Sequence, residues 1–346
     1  MRVISKSGSV RIDLLGGTLD IEPINLVLQD VVTLNVATSL KAQVDLKEIP
    51  EKAITIISKD YDSSDTFDFA LFTKENIFQK NLFGHLNLVI QILEFFGIPK
   101  KLKTGLEITL SSGAPPGSGL GGSSAMAMTL YQVLHEYFFS GEMDETQKIQ
   151  AIIEMKGIEA RILDSGPSGY QDYYPAIFGG VLALGPVPGR VNVSQYFDQN
   201  LCHVLEKRLT LVFSGKSRHS GINNWEVFKA FFDKDTKVRR GLGEIAVLSA
   251  RALEAIKNKK FNILIDLIAQ EGALRKELFS DIVTPEIEKV SKDLASQFSE
   301  TGVKICGAGG GGCFLVTHRE ADGPGIKGVI NKSGMQVLNL VIEPPL

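Results

Sequence analysis

The residues best suited to chemistry lie in one stretch, Ser112-Gly113-Ala114-Pro115-Pro116-Gly117-Ser118-Gly119-Leu120-Gly121-Gly122-Ser123-Ser124. Glycines remove the Cβ atoms that would hold a ligand off, and they let successive N–H groups converge on an anion. Ahead of the stretch, Leu106-Glu107-Ile108-Thr109-Leu110 reads as a strand. Behind it, residues 125–138 read as a helix, with Met126, Leu130, Val133, Leu134 and Tyr137 on one face at the 3.6 period. A helix start contributes unpaired amides and the positive end of its dipole. A phosphate cradle uses all of these features, with Ser123 and Ser124 as caps or as hydroxyls directed at a phosphate or its metal. A plain Gly/Pro turn is the competing reading. Gly117-Ser118-Gly119-Leu120-Gly121-Gly122 also spells GxGxxG, but a proline-stiffened loop precedes it and no acidic residue ends a following strand, as a dinucleotide turn requires. No lysine follows the last glycine, which excludes a Walker loop.

A second glycine run, Gly307-Ala308-Gly309-Gly310-Gly311-Gly312, separates two apolar strand-like segments at 303–306 and 313–317. So many residues without side chains are costly in entropy for a simple hairpin tip. A backbone surface pressed against a ligand or against the first loop accounts for them better. Asp172 ends the kinked segment Gly166-Pro167-Ser168-Gly169-Tyr170-Gln171-Asp172, as a turn residue or as an acid facing a site. Arg11 lies mid-strand in residues 9–15, either on the surface or paired with an anion. The five histidines and three cysteines are scattered without ligand spacing, so no metal is assigned to them.

The elements that must position these residues span two domains, which suits 346 residues. Gly185-Pro186-Val187-Pro188-Gly189 is the expected connector and divides the chain into 1–185 and 186–346. In the first part, strands are expected at 34–46 and 53–58, helices at 84–96 and 144–163, and a buried strand-like run at 176–184. In the second, a strand at 209–213 is followed by helices at 225–232, 237–257 and 262–279. Another helix opens at Thr284-Pro285-Glu286, and a last strand lies near 337–342. A hydrophobic fraction of 44% with 22% charged residues excludes a disordered chain. A net charge of −3 without a basic block argues against nucleic acid and anionic membranes as partners. No apolar run approaches the ~20 residues of a membrane span. The first residues lack a signal-peptide core and the cysteines read as reduced thiols, so a cytoplasmic enzyme is expected.

Three segments, in order, resemble the motifs of the GHMP kinase superfamily. They are Arg11-Ile12-Asp13-Leu14-Leu15-Gly16-Gly17-Thr18-Leu19-Asp20, then Pro115 through Ala125, then Lys304-Ile305-Cys306-Gly307-Ala308-Gly309-Gly310-Gly311-Gly312. Gly169-Tyr170-Gln171-Asp172-Tyr173-Tyr174, Phe178-Gly179-Gly180 and Phe213-Ser214-Gly215-Lys216-Ser217-Arg218 are similar to its sugar-kinase branch, in particular to the kinases of D-glycero-D-manno-heptose 7-phosphate. Galactokinases and fucokinases share parts of this wording. The resemblance implies an α+β fold of two domains, an N-terminal ATP-loop domain and a C-terminal ferredoxin-like α/β sandwich carrying the third motif. It implies ATP held by Pro116, Gly117, Ser118, Gly119, Leu120, Gly121, Gly122, Ser123 and Ser124, with Gly309 and Gly310 closing on it. Mg²⁺ would be held by Ser123 and Glu159. Asp172 would act on the acceptor hydroxyl with Arg11 beside it, and Gly17, Thr18, Asp20 and Arg218 would bind the acceptor. That acceptor is expected to be a sugar or sugar phosphate taken at its anomeric hydroxyl, in a monomer or homodimer. A mevalonate-type acceptor, or a nucleotide- or sugar-sensing regulator without catalysis, are the alternatives.

Overall fold

Two long strands, β1 (Val3–Leu15) and β2 (Thr33–Ile49), pair antiparallel from Val3 opposite Lys47 to Leu15 opposite Leu34. The computed structural model describes residues 2–77, 79, 82–162, 168–217 and 224–346. From Gly8 onward both faces of β1 are covered: Val10, Ile12 and Leu14 enter the core, while Ser9, Arg11 and Asp13 lie buried on the other face. The other edge of β2 carries β5 (Gly105–Ser112) along its C-terminal half and β6 (Val181–Val187) along its N-terminal half. The sheet continues from β5 through β3 (Ala53–Ser58) to β4 (Ser63–Asp68), and from β6 to β7 (Arg190–Tyr196). Helices Asn87–Phe95, Gly122–Phe139 and Glu145–Ile162 contribute Ile90, Leu130, Met155 and neighbouring apolar side chains to its core.

A second sheet has the order β11-β8-β10-β9, all antiparallel, from β8 (Leu209–Phe213), β9 (Gly302–Ile305), β10 (Cys313–Thr317) and β11 (Gln336–Leu338). Helices Thr236–Lys257, Phe261–Leu278 and Pro285–Gln297 link β8 to β9, and Gly323–Lys332 links β10 to β11. Taken in chain order, this is the ferredoxin-like arrangement that was expected. Thr284 caps Pro285–Gln297 by accepting the Ile287 N–H, with Pro285 at the first helical position, as its sequence foretells. Among the described residues no helix is long and apolar enough to cross a membrane.

Two expectations are corrected. Gly185-Pro186-Val187-Pro188-Gly189 forms a hairpin, Val187 opposite Arg190, so a division at 185/186 falls inside β6 and the first sheet runs on to Tyr196. The run 176–184 is a short helix, Pro175–Phe178, followed by β6; Gly179 and Gly180 (φ +67° and +73°) make the break. Helix Gln199–Arg208, capped by Asp198, had no expectation behind it. The chain end also returns to the first sheet, where Ile342 bridges Thr38.

Four charged side chains join the two sheets. Asp13 of β1 receives Lys304 of β9 at 2.9 Å, and Glu271 of helix Phe261–Leu278 lies 3.4 Å from the same ammonium. Arg275, one turn along that helix, stands 3.8 Å from Glu271 and 3.9 Å from Asp13. All four are at most 2% exposed. Burial works against the charge on Asp13, but Lys304, Arg275 and Arg11 more than offset it and hold its carboxyl below the usual range. Such a group is unforgiving, since removing one member strands its partners without solvent. Lys304→Met should therefore cost about 3–5 kcal/mol in urea unfolding, and a loss below about 1 kcal/mol would contradict this account of the joint.

Candidate active site

The loop before helix Gly122–Phe139 turns on three glycines in the left-handed region, Gly117 (φ +69°), Gly119 (φ +76°) and Gly121 (φ +72°). Arg11 staples this loop to β1. Its backbone N–H donates to the Leu120 carbonyl at 3.0 Å, and its guanidinium donates to the Gly119 carbonyl at 2.6 Å. Leu120 itself turns into the core beneath the loop. From the other sheet, the Cys313 N–H donates to the Ser118 carbonyl at 2.7 Å. A Cβ on Gly307 would lie 2.9 Å from the Gly119 carbonyl, and one on Gly312 would lie 2.7 Å from that of Ser118. The two glycine runs thus meet backbone to backbone, at a distance only glycine permits. Gly309 and Gly310 face elsewhere: the Gly310 N–H donates to the Ile282 carbonyl, and a Cβ on Gly309 would run into Ile282. Gly307 and Ala308 line the cavity instead.

Asp172 sits in the turn before helix Pro175–Phe178, and its Oδ1 accepts from Arg11 Nε at 2.8 Å. A Cβ on Gly121 would come 3.2 Å from the Asp172 Cβ, so the helix start and the carboxylate touch. Burial works against the Arg11 charge, but Asp172 and Asp13 outweigh it and raise its pKa further. Glu159, on helix Glu145–Ile162, accepts Ser123 Oγ at 2.6 Å on one oxygen. Its other oxygen takes Ser124 Oγ at 2.8 Å and the Tyr173 hydroxyl at 2.5 Å. Hydroxyl and carboxylate oxygens beside a phosphate loop are the donors Mg²⁺ takes when it keeps most of its water, so this set fits that ion.

Asp20 follows the first motif's glycines and is buried against Gly169, where any side chain would collide with its carboxylate. Burial pushes the Asp20 carboxyl up to about 6. The Gln171 N–H, donating at 3.0 Å, pulls the other way, while the charges of Asp172 and Asp13 add to the rise. Gly17 and Thr18 line the same cavity, and Arg275 donates to the Gly17 carbonyl at 3.0 Å. Arg218 lies outside the described residues. One cavity of about 560 Å³ holds Arg11, Asp20, Glu159 and Asp172 together with the phosphate loop. It also has an apolar section with Leu86, Val89, Leu110 and Met126, and the rings of Tyr61 and His85 stand 4.5 Å apart there.

Family models match segments of both halves of the chain. The GHMP kinases N terminal domain matches residues 87–180 and the GHMP kinases C terminal domain matches residues 251–334, together just over half of the chain. The chain belongs to the GHMP kinase family. Among its relatives, the bifunctional fucokinase/GDP-fucose pyrophosphorylase of Arabidopsis thaliana is 26% identical over 323 residues, which is 90% of this chain and 30% of that protein. The chain therefore spans less than a third of that relative's length. The GHMP kinase fold is shared with the mevalonate kinase of Methanococcus jannaschii (TM-score 0.75, 19% identity, 99% of this chain and 98% of that one). It is shared too with a D-glycero-D-manno-heptose 1-phosphate kinase of Bacteroides thetaiotaomicron (TM-score 0.74, 16% identity, 99% and 97%).

Asp13, Tyr173, Glu271 and Arg275 escaped the reading of the sequence. Arg11 and Asp13, two apart in a strand, must share a face, and Glu271 and Arg275 have the spacing of one helix turn. Neither pattern shows that the two meet. The raised Asp20 has a measurable consequence. Its folded-state value lies above the ordinary 3.8, so its contribution to stability is full below about pH 4 and is lost as pH rises through about 6. Asp20→Asn should thus stabilise the protein by up to about 3 kcal/mol at neutral pH, with no gain near pH 4. Calorimetric Tm values across that range check it, and a gain independent of pH would contradict it.

Proposed function

We propose that this chain transfers the γ-phosphoryl group of ATP to a hydroxyl of a sugar or sugar phosphate, at the anomeric position. The observation that carries the reading is the Arg11-bound carboxylate of Asp172 packed against Gly121, where the phosphate loop becomes a helix. Phosphoryl transfer asks for positioning and charge neutralisation more than for covalent help. The amides of residues 117–124 would hold the β- and γ-phosphates, with the helix dipole adding positive potential. Ser123 and Glu159 would hold Mg²⁺, which when bound offsets charge on the phosphates. The apolar section with Tyr61 and His85 suits the adenine ring.

Asp172 would take or orient the proton of the acceptor hydroxyl, a role worth typically ~10²–10⁴-fold. The Arg11 charge would stand beside the oxygen on which negative charge builds. Gly17 and Thr18 would receive the acceptor through their backbone and Asp20 through its carboxylate, which accepts from the acceptor's hydroxyls, and we extend an acceptor-binding role to Arg218 by resemblance alone. A polar contact of this kind rejects analogues that lack the hydroxyl. A purely sensing protein would need a nucleotide site but no arginine-paired carboxylate beside its phosphate loop. The fucokinase in the Arabidopsis relative's name puts fucose on the acceptor list beside the heptose 7-phosphate that the sequence motifs suggest, and the shared mevalonate kinase fold keeps mevalonate there as a control.

ADP release measured with D-glycero-D-manno-heptose 7-phosphate, L-fucose, galactose and mevalonate should show turnover with a sugar and none with mevalonate. The sugar product should lose its phosphate in mild acid, as glycosyl phosphates do. Turnover of mevalonate alone would overturn the sugar assignment. Asp172→Asn should lower kcat by at least ~10²-fold and leave ATP affinity within about twofold. Full retained activity would remove Asp172 from the chemistry.

A further inference from the structure

We infer that Arg275 is a positioning residue for the acceptor, bracing the Thr18 backbone against the third glycine loop; this rests on the kinase reading above. Thr18 has φ +75°, in the left-handed region, where a β-branched side chain is strained. Such a conformation persists only where its surroundings over-determine it. Two backbone bonds close the turn, the Leu19 N–H to the Gly16 carbonyl at 3.1 Å and the Ile21 N–H to the Thr18 carbonyl at 3.4 Å, and a guanidinium braces it from the second domain. Arg275 donates through Nη1 to the Gly17 carbonyl at 3.0 Å, and through Nη2 to Thr18 Oγ1 at 3.4 Å and to the Gly307 carbonyl at 3.3 Å. It is itself fixed by Glu271 and Asp13, and Glu271 also accepts the Gly16 N–H at 2.8 Å. A Cβ on Gly17 would collide with the Asp13 carboxylate and crowd Arg275, so no larger residue could follow Gly16.

The geometry has a direction. Two residues beyond Thr18 comes Asp20, whose carboxylate is held by the Gln171 amide, next to Asp172. On the other side, Gly307 abuts Gly119 of the phosphate loop. Arg275 therefore ties the acceptor loop to the loop that closes on the phosphates, without touching a reacting atom. A planar fork can hold three oxygens in fixed relation, and a lysine cannot. Lysine does keep the charge that Asp13 and Glu271 need.

The test measures ADP release with L-fucose, galactose and D-glycero-D-manno-heptose 7-phosphate, and ATP affinity separately by calorimetry. Arg275→Lys should raise the acceptor KM by about tenfold or more while ATP affinity stays within about twofold. Adding Thr18→Gly to that variant should recover most of the loss, because glycine adopts φ +75° unbraced. Thr18→Val keeps the branched strain but loses the braced hydroxyl. It should raise the acceptor KM by about threefold or more, and it decides the matter if Arg275→Lys does not fold. An unchanged acceptor KM, an equal loss of ATP affinity, or no recovery with glycine would overturn the role of Arg275. A wild-type protein that releases ADP with none of the three sugars would instead overturn the sugar-kinase reading itself.

Discussion

One buried guanidinium carries the arrangement of the site. Arg11 projects from a strand covered on both faces, and its contacts with the phosphate loop and with Asp172 serve the chemistry proposed above. Its backbone amide pins Leu120, its Nη1 pins Gly119, and its Nε meets Asp172. The phosphate loop and the carboxylate come from segments about fifty residues apart, and this one side chain sets their separation. Burying an arginine costs several kcal/mol unless its donors are matched. Asp172 and Asp13 supply the compensating charge.

Charges alternate outward from that point: Asp172, Arg11, Asp13, then Lys304 and Arg275 with Glu271 between them. The series crosses from the first sheet to the second, so packing of the two sheets and geometry of the site depend on each other. The glycine runs give the same coupling in backbone form. Gly307 and Gly312 let the hairpin loop of the second sheet rest on Gly119 and Ser118, where any side chain would force the two apart. Glu159 extends the site on its other side, gathering three hydroxyls at the helix start.

Much of this was legible in the chain. The glycine runs, the residues flanking Asp172 and the position of Arg11 in its strand reflect local constraints, and local constraints leave local patterns. Strand 209–213 and the capped helix at Thr284 were legible for the same reason. The connector at 185–189 misled because proline and glycine suit a hairpin turn as well as a linker, and only the partner strand distinguishes them. That Gly307 and Ala308 rather than Gly309 and Gly310 line the cavity is not legible, because a run of five glycines and one alanine carries no mark of which face meets what. The buried charge cluster was invisible for a different reason. Asp13 and Lys304 are 291 residues apart, and a charged residue in a sequence reads as solvated until its partner is found.

The two glycine runs and the Arg11–Asp172 pair should enclose one triphosphate. A crystal structure of the protein with a non-hydrolysable ATP analogue and Mg²⁺ decides this. The analogue's phosphates should lie on the amides of residues 117–124, with the terminal phosphate toward Asp172 and Glu159. A nucleotide bound away from this loop, or with its phosphates turned from Asp172, would contradict it.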